Sequence, residues 1–136
     1  MRTRVFVVDD EKVIAATLAA ILNASGFEAR AFFDGASALA ACAEDAPDWI
    51  ISDVVMPGMT GIEMAIQIRH SCKDCKILLF SGQAATADLL DKALASGYEF
   101  EVLCKPVHPT ELLAKLETGG QGLAPHNRTE ISSWVS

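Results

Sequence analysis

Val5-Phe6-Val7-Val8 runs without a break into the acid pair Asp9-Asp10. An uninterrupted apolar run of strand length is what a parallel strand covered on both faces requires, so the acid pair falls at that strand's carboxyl end. Three later segments have the same form with different endings. Trp49-Ile50-Ile51 leads into Ser52-Asp53, Ile77-Leu78-Leu79-Phe80 leads into Ser81-Gly82, and a less uniformly apolar stretch from about Glu99 to Cys104 leads into Lys105-Pro106. As parallel strands of one sheet, these runs bring all four endings to one edge. Carboxylates, a hydroxyl and an ammonium then surround a single point.

The segments between them read as helices. Ile14, Leu18, Ile21 and Leu22 recur at helical spacing until Ser25-Gly26, and Asp34 begins an alanine-rich helix that carries Leu39 and ends before Pro47. Ile62, Ala65, Ile66 and Arg69 mark a helix after the Pro57-Gly58 turn, and Leu89, Leu90, Ala93 and Leu94 line another that Gly97 ends. Pro109 suits a first helical turn, with Leu112, Leu113 and Leu116 continuing it. A weaker strand, Glu28 to Phe32, completes the alternation. The expected fold is α/β, a doubly wound (βα)5 open parallel five-stranded sheet with the last strand near an edge. Ligands bind such sheets beyond the carboxyl ends of the strands.

A chain of 136 residues, 51% hydrophobic, can fill one core without disulfides. Its net charge of -7 argues against a phosphate-backbone footprint and hence against direct nucleic-acid binding. The four apolar residues before Asp9 are too few for a signal-peptide core, and no apolar stretch approaches a membrane span, so the expected setting is cytoplasmic. The domain is expected over residues 1–117. From Thr118 the pattern fails at Gly119-Gly120-Gln121-Gly122, and residues 118–136 read as a flexible tail.

Cys42, Cys72, Cys75 and Cys104 are too scattered for a secreted disulfide scaffold and fit a reducing compartment. Cys72 and Cys75 form a C-x-x-C, but at the end of an expected helix rather than its start, where a redox pair gains from the dipole. They read as loop thiols, with redox control or a metal contact beside His70 as the alternatives.

Hard oxygen ligands at one point suit Mg²⁺. Asp10 and Asp53 are the natural direct ligands, Asp9 can hold a metal-bound water, and the Val55 backbone carbonyl lies where it can turn into the coordination sphere. Asp53 is the expected nucleophile toward a phosphoryl group. Lys105 and the Ser81 hydroxyl would hold phosphoryl oxygens, and backbone N–H groups after Asp53 and around Gly82 would complete the cradle. Each piece has a structural alternative: Asp9 or Asp10 as a helix cap, Asp53 as a turn residue, Ser81-Gly82 as a loop entry, Lys105 as a solvated charge. Their coincidence at the ends of four strands favours the site.

With these residues the chain resembles the receiver domain of bacterial two-component response regulators, the CheY-like superfamily, over about residues 3 to 117. The matching stretches are Val5 to Glu11, Asp53-Val54-Val55-Met56-Pro57-Gly58-Met59-Thr60-Gly61, Leu79-Phe80-Ser81-Gly82 and Cys104-Lys105-Pro106. The resemblance implies a flavodoxin-like strand order 2-1-3-4-5. It also implies a phosphorelay in which Asp53 takes phosphate from a histidine kinase or histidine phosphotransfer protein, and a cis peptide before Pro106. Output would pass to a downstream protein through the face formed by the fourth helix, fifth strand and fifth helix, about Thr86 to Leu116. A second copy of the chain is a further candidate partner. Where the family often carries a switching aromatic, this sequence has Val102. Phe100 shares that strand face but lies two residues too early.

The competing readings are a phosphorylation-independent interaction module and an aspartyl phosphatase. The phosphatase would carry an acid two residues after its nucleophile, where this chain has Val55, so chemistry on itself rather than enzyme turnover is expected. Val55 and Gln83 flank the expected water path. An apolar Val55 cannot orient water, which predicts a persistent phosphate on Asp53.

Overall fold

The computed structural model describes residues 2–82, 86–106 and 108–117. Gln83 and the tail expected over 118–136 lie outside the described residues. Along the chain run β1 (Arg4–Val8), α1 (Lys12–Ala24), β2 (Glu28–Phe32), α2 (Gly35–Glu44), β3 (Trp49–Asp53), α3 (Gly61–Ser71), β4 (Lys76–Ser81), α4 (Thr86–Ala95), β5 (Glu101–Cys104) and α5 (Pro109–Glu117). All strand pairings are parallel, in the order β2-β1-β3-β4-β5. The doubly wound reading and the edge position of the last strand are both observed.

The two faces of the sheet explain the unbroken apolar runs. Successive side chains alternate between faces, so Val5, Val7, Trp49, Ile51, Leu78, Phe80 and Leu103 pack with α1 and α5. Phe6, Val8, Ile50, Ile77 and Leu79 pack with α2, α3 and α4 on the other face. Ile50 and Leu79 are fully enclosed, and burial of such a side chain contributes on the order of 2 kcal/mol. A charged residue at any of these positions would have no water on either side.

Local signals set the helix ends. Asp34, expected as the first residue of α2, is its N-cap, with its carboxylate accepting from the Ser37 N–H at 2.7 Å. Thr60 and Glu63 form a reciprocal capping box at α3. Gly26 and Gly97 follow α1 and α4 at φ 97° and 93°, a left-handed conformation that glycine adopts without steric cost. The strand expected from Glu99 begins at Glu101, because Glu99 and Phe100 have no ladder partners. Among the described residues no helix is long and apolar enough to cross a membrane.

Candidate functional site

The register of the sheet carries Asp9, Asp53, Ser81 and Lys105 to one edge. Val8 pairs with Ser52, Asp53 with Phe80 and Ser81 with Cys104, so each of these side chains stands at or just past its strand's carboxyl end. Carboxylate oxygens of Asp9, Asp10 and Asp53 lie within 4.8 Å of one another. Asp9 is 1% exposed and Asp53 8%, whereas Asp10 faces solvent.

Neither aspartate of the acid pair caps α1. Its N-cap is Glu11, which makes no side-chain cap bond, and Asp9 turns inward instead. The Asp9 Oδ1 accepts the Glu11 N–H at 2.9 Å, while its buried Oδ2 accepts no hydrogen bond. Lys105 Nζ stands 4.0 Å from that orphan oxygen and donates to Asp53 Oδ2 at 2.8 Å. The solvated reading of Lys105 therefore does not hold. The other Asp53 oxygen accepts a longer bond, 3.3 Å, from the Val55 N–H.

The electrostatics follow from this crowding. Burial pushes the Asp9 carboxyl above its ordinary range, and the charges of Asp53 and Asp10 add to it against the Glu11 N–H and Lys105. Burial also pulls Lys105 downward, but the hydrogen bond and charge of Asp53, with Asp9 and Glu11, outweigh it and leave the ammonium more tightly protonated than usual. One cation among three carboxylates leaves excess negative charge and an unpaired buried oxygen. A divalent cation held by hard oxygens would satisfy both, so the residues present fit such an ion.

Two glycines make room for the arrangement. A Cβ on Gly61 would stand 2.1 Å from the Asp53 carbonyl oxygen. The first turn of α3 thus rests directly on the Asp53 backbone, with the Gly61 N–H donating to the Val54 carbonyl at 2.9 Å. A Cβ on Gly82 would come within 3.1 Å of the Lys105 side chain. Lys105 itself is held by its N–H to the Ser81 carbonyl at 3.0 Å, and the peptide bond to Pro106 is cis.

Val55 is exposed beside this edge, and Val102 is half-buried among the α4-side cluster. Phe100 packs against the same cluster but is engaged elsewhere: it stacks on Tyr98 at an interplanar angle of 4°, under the Arg69 guanidinium at 4.8 Å.

Sequence reasoning missed an apolar groove of about 710 Å³ between α1 and the start of α5, continuous with Lys105 and lined by Val13, Ile14, Leu18, Ile21, Pro106 and Pro109. Val13 is 78% exposed, an apolar residue outside the α1 core stripe, and that was the available signal. The ion pair between Lys115 and Glu101, which ties α5 to β5, was also missed.

Residues 5–117 match the response regulator receiver domain family. The DNA-binding response regulator MtrA of Mycolicibacterium paratuberculosis is 34% identical over 85% of this chain and 50% of its own length. The response regulator MprA of Mycobacterium bovis is 30% identical over 96% of this chain and 56% of its own. The chain thus spans about half the length of these relatives. The structure of the chemotaxis protein CheY4 of Vibrio cholerae superimposes with a TM-score of 0.76 at 32% identity, covering 87% of this chain and 98% of that one.

Proposed function

The chain belongs to the response regulator receiver domain family, and from that premise we propose that Asp53 is a phosphoacceptor which takes a phosphoryl group from a phosphohistidine on a histidine kinase or phosphotransfer protein. The observation that carries the reading is the Lys105 to Asp53 contact at 2.8 Å beside an orphaned Asp9 oxygen. An ammonium fixed on the acceptor carboxylate is already placed to follow a phosphoryl oxygen.

Asp10, Asp53 and the Val55 carbonyl would hold Mg²⁺, with Asp9 holding one of its waters. When bound, the ion supplies neutralisation of the crowded carboxylates and of the phosphoryl charge. Asp53 contributes the attacking oxygen. As its bond to phosphorus forms, the phosphorus–nitrogen bond of the donor breaks and the electron pair stays on the imidazole nitrogen. Lys105 then exchanges a carboxylate partner for a phosphoryl oxygen, the Ser81 hydroxyl donates to another, and the N–H groups of Val55 and Gly82 face the remaining charge. Gly82 serves here because a larger residue would displace the Lys105 stem.

The apolar groove beside Lys105 would suit the donor protein, because it opens next to the acceptor site. Output would leave through the face of α4, β5 and α5. Its seam carries a groove of about 190 Å³ lined by Leu90, Leu94, Tyr98, Phe100 and Val102, among others. With Val102 in place of a large ring and Phe100 held by Tyr98 and Arg69, switching would proceed through Ser81 and the backbone. A reducing, cytoplasmic setting fits four free thiols.

The test is intact mass after incubation with acetyl phosphate and Mg²⁺, repeated with chelator and with Asp53→Asn. A gain of one phosphoryl group that needs the metal and is lost in the variant supports the assignment. No gain from either acetyl phosphate or a phosphohistidine donor overturns it. Because Val55 offers no hydrogen bond to water, the phosphoryl group should persist for minutes or longer on the same assay, and loss within seconds would refute that point.

A further inference from the structure

Three of the four cysteines gather at the other end of the sheet. Cys72 is the C-cap of α3, Cys75 immediately precedes β4, and Cys42 lies on α2 in the same apolar cluster. The Cys75 thiol donates to the Lys76 carbonyl at 3.7 Å. What joins Cys72 and Cys75 is the backbone, the Cys75 N–H donating to the Cys72 carbonyl at 3.3 Å. A four-residue turn closed by such a bond keeps its end Cα atoms within about 7 Å, and a disulfide spans about 4.4–6.8 Å. The turn thus holds the two backbones close to the span a disulfide needs before any oxidation. Cys75 is buried and Cys72 partly open, so a dissolved reagent meets Cys72 first.

We propose that Cys72 and Cys75 are a dithiol modification site, closed to a disulfide by exchange with a low-molecular-weight disulfide of the glutathione class, with Cys72 reacting first and Cys75 resolving. The Cys72 sulfur, giving up its proton to solvent, attacks one sulfur of the reagent, whose S–S bond breaks and releases one thiolate. The Cys75 sulfur, giving up its proton to solvent, then attacks Cys72 and releases the second. Two protein thiols are oxidised by two electrons, and the reagent disulfide is reduced to two thiols.

The surroundings also set the tempo. Burial, followed by the neighbouring Cys72 and Cys42, pushes the Cys75 thiol up to about 12. The exchange is therefore slow and stoichiometric, unlike the turnover of an oxidoreductase. The loop closed is so short that the bond removes little chain entropy from the unfolded state, so it acts as a chemical mark rather than a brace. It is independent of the acid site, since Cys72 and Cys75 lie where α3 ends and β4 begins.

The experiment incubates the full chain with glutathione disulfide and follows intact mass, with peptide mapping after cleavage at Lys73, which leaves the Cys72 and Cys75 peptides joined only through sulfur. Expected is a loss of two hydrogens, reversed by dithiothreitol, in the natural chain and in a Cys42→Ala/Cys104→Ala variant. Cys75→Ser should stop at a glutathione adduct on Cys72. A persistent adduct on Cys72 in the natural chain, a bond mapped to Cys42, or no change in mass while circular dichroism reports a folded chain would each overturn the proposal. Phosphoryl gain on Asp53, read on the same samples, reports separately on the function proposed above.

Discussion

The two ends of β3 face opposite environments. At its carboxyl end Asp53 stands among two other carboxylates and an ammonium, with a buried oxygen left without a partner. At its amino end the polar groups are closed on one another. The Asp48 carboxylate accepts the Arg4 N–H at 2.8 Å, its N–H donates to the Arg4 carbonyl at 2.9 Å, and its carbonyl accepts the Lys76 N–H at 3.0 Å. Arg4 reaches on to Asp45 and Glu28. One edge is satisfied and structural; the other gathers excess negative charge and an unbonded carboxylate oxygen. A parallel sheet makes this difference available, because every strand delivers its last side chain to the same edge.

The sharpest way to break the contrast is to move α3 off the carboxyl edge. Gly61→Ala sets a methyl group against the Asp53 carbonyl, and a clash with backbone cannot be relieved by a rotamer change. Denaturant unfolding should show a loss near the upper end of the usual overpacking range, about 3 kcal/mol. A loss below the error of the method would mean that the α3 start yields freely.

A divalent cation should close the gap between the edges. At roughly 100 times its dissociation constant Mg²⁺ should raise stability by about 2.7 kcal/mol, read as a thermal shift. Asp10→Asn should reduce the shift and chelator abolish it. An equal shift in the variant would place the ion elsewhere.

The amino edge offers the converse. Asp48→Ala removes one carboxylate acceptor at an exposed site and should cost about 1 kcal/mol or less, while the Mg²⁺-induced shift stays unchanged. Loss of that shift would show that the two ends of β3 are coupled.

The smallest effect concerns the cap of α2. Hydrogen bonds from the Ser37 N–H and hydroxyl hold the Asp34 carboxyl below its ordinary value of 3.8. The cap's contribution is complete above that value and is lost as pH falls through the lowered pKa of the folded state. Asp34→Ala should cost about 1 kcal/mol at neutral pH, and its difference from the natural chain should vanish in acid. A difference constant with pH would assign the loss to something other than the ionised cap.

Much of the site was legible because each polar residue directly follows an apolar run. Asp9, Asp10, Asp53, Ser81 and Lys105 could be placed at one edge without coordinates. The need for glycine at position 61 was not legible, since the atom it avoids belongs to the backbone eight residues earlier and the contact exists only once α3 has docked. The α1–α5 groove was hidden because it joins elements far apart in sequence, and the Lys115 to Glu101 pair because it forms only once α5 has folded back on β5. The reading of Cys72-Lys73-Asp74-Cys75 as loop thiols came from helix position, which reveals nothing of the backbone bond that closes the turn between the two cysteines.

The sequence by itself determined the strand and helix alternation, the parallel sheet and the chemistry gathered at its carboxyl edge, because these follow from local apolar periodicity and from what ends each run. Only the tertiary structure decided how that chemistry is wired. Lys105 bonds Asp53 across 52 residues, Asp9 turns inward instead of capping α1, and Phe100 is held under Arg69. Those outcomes depend on which side chains the packed helices leave facing one another, and no short stretch of sequence contains both partners.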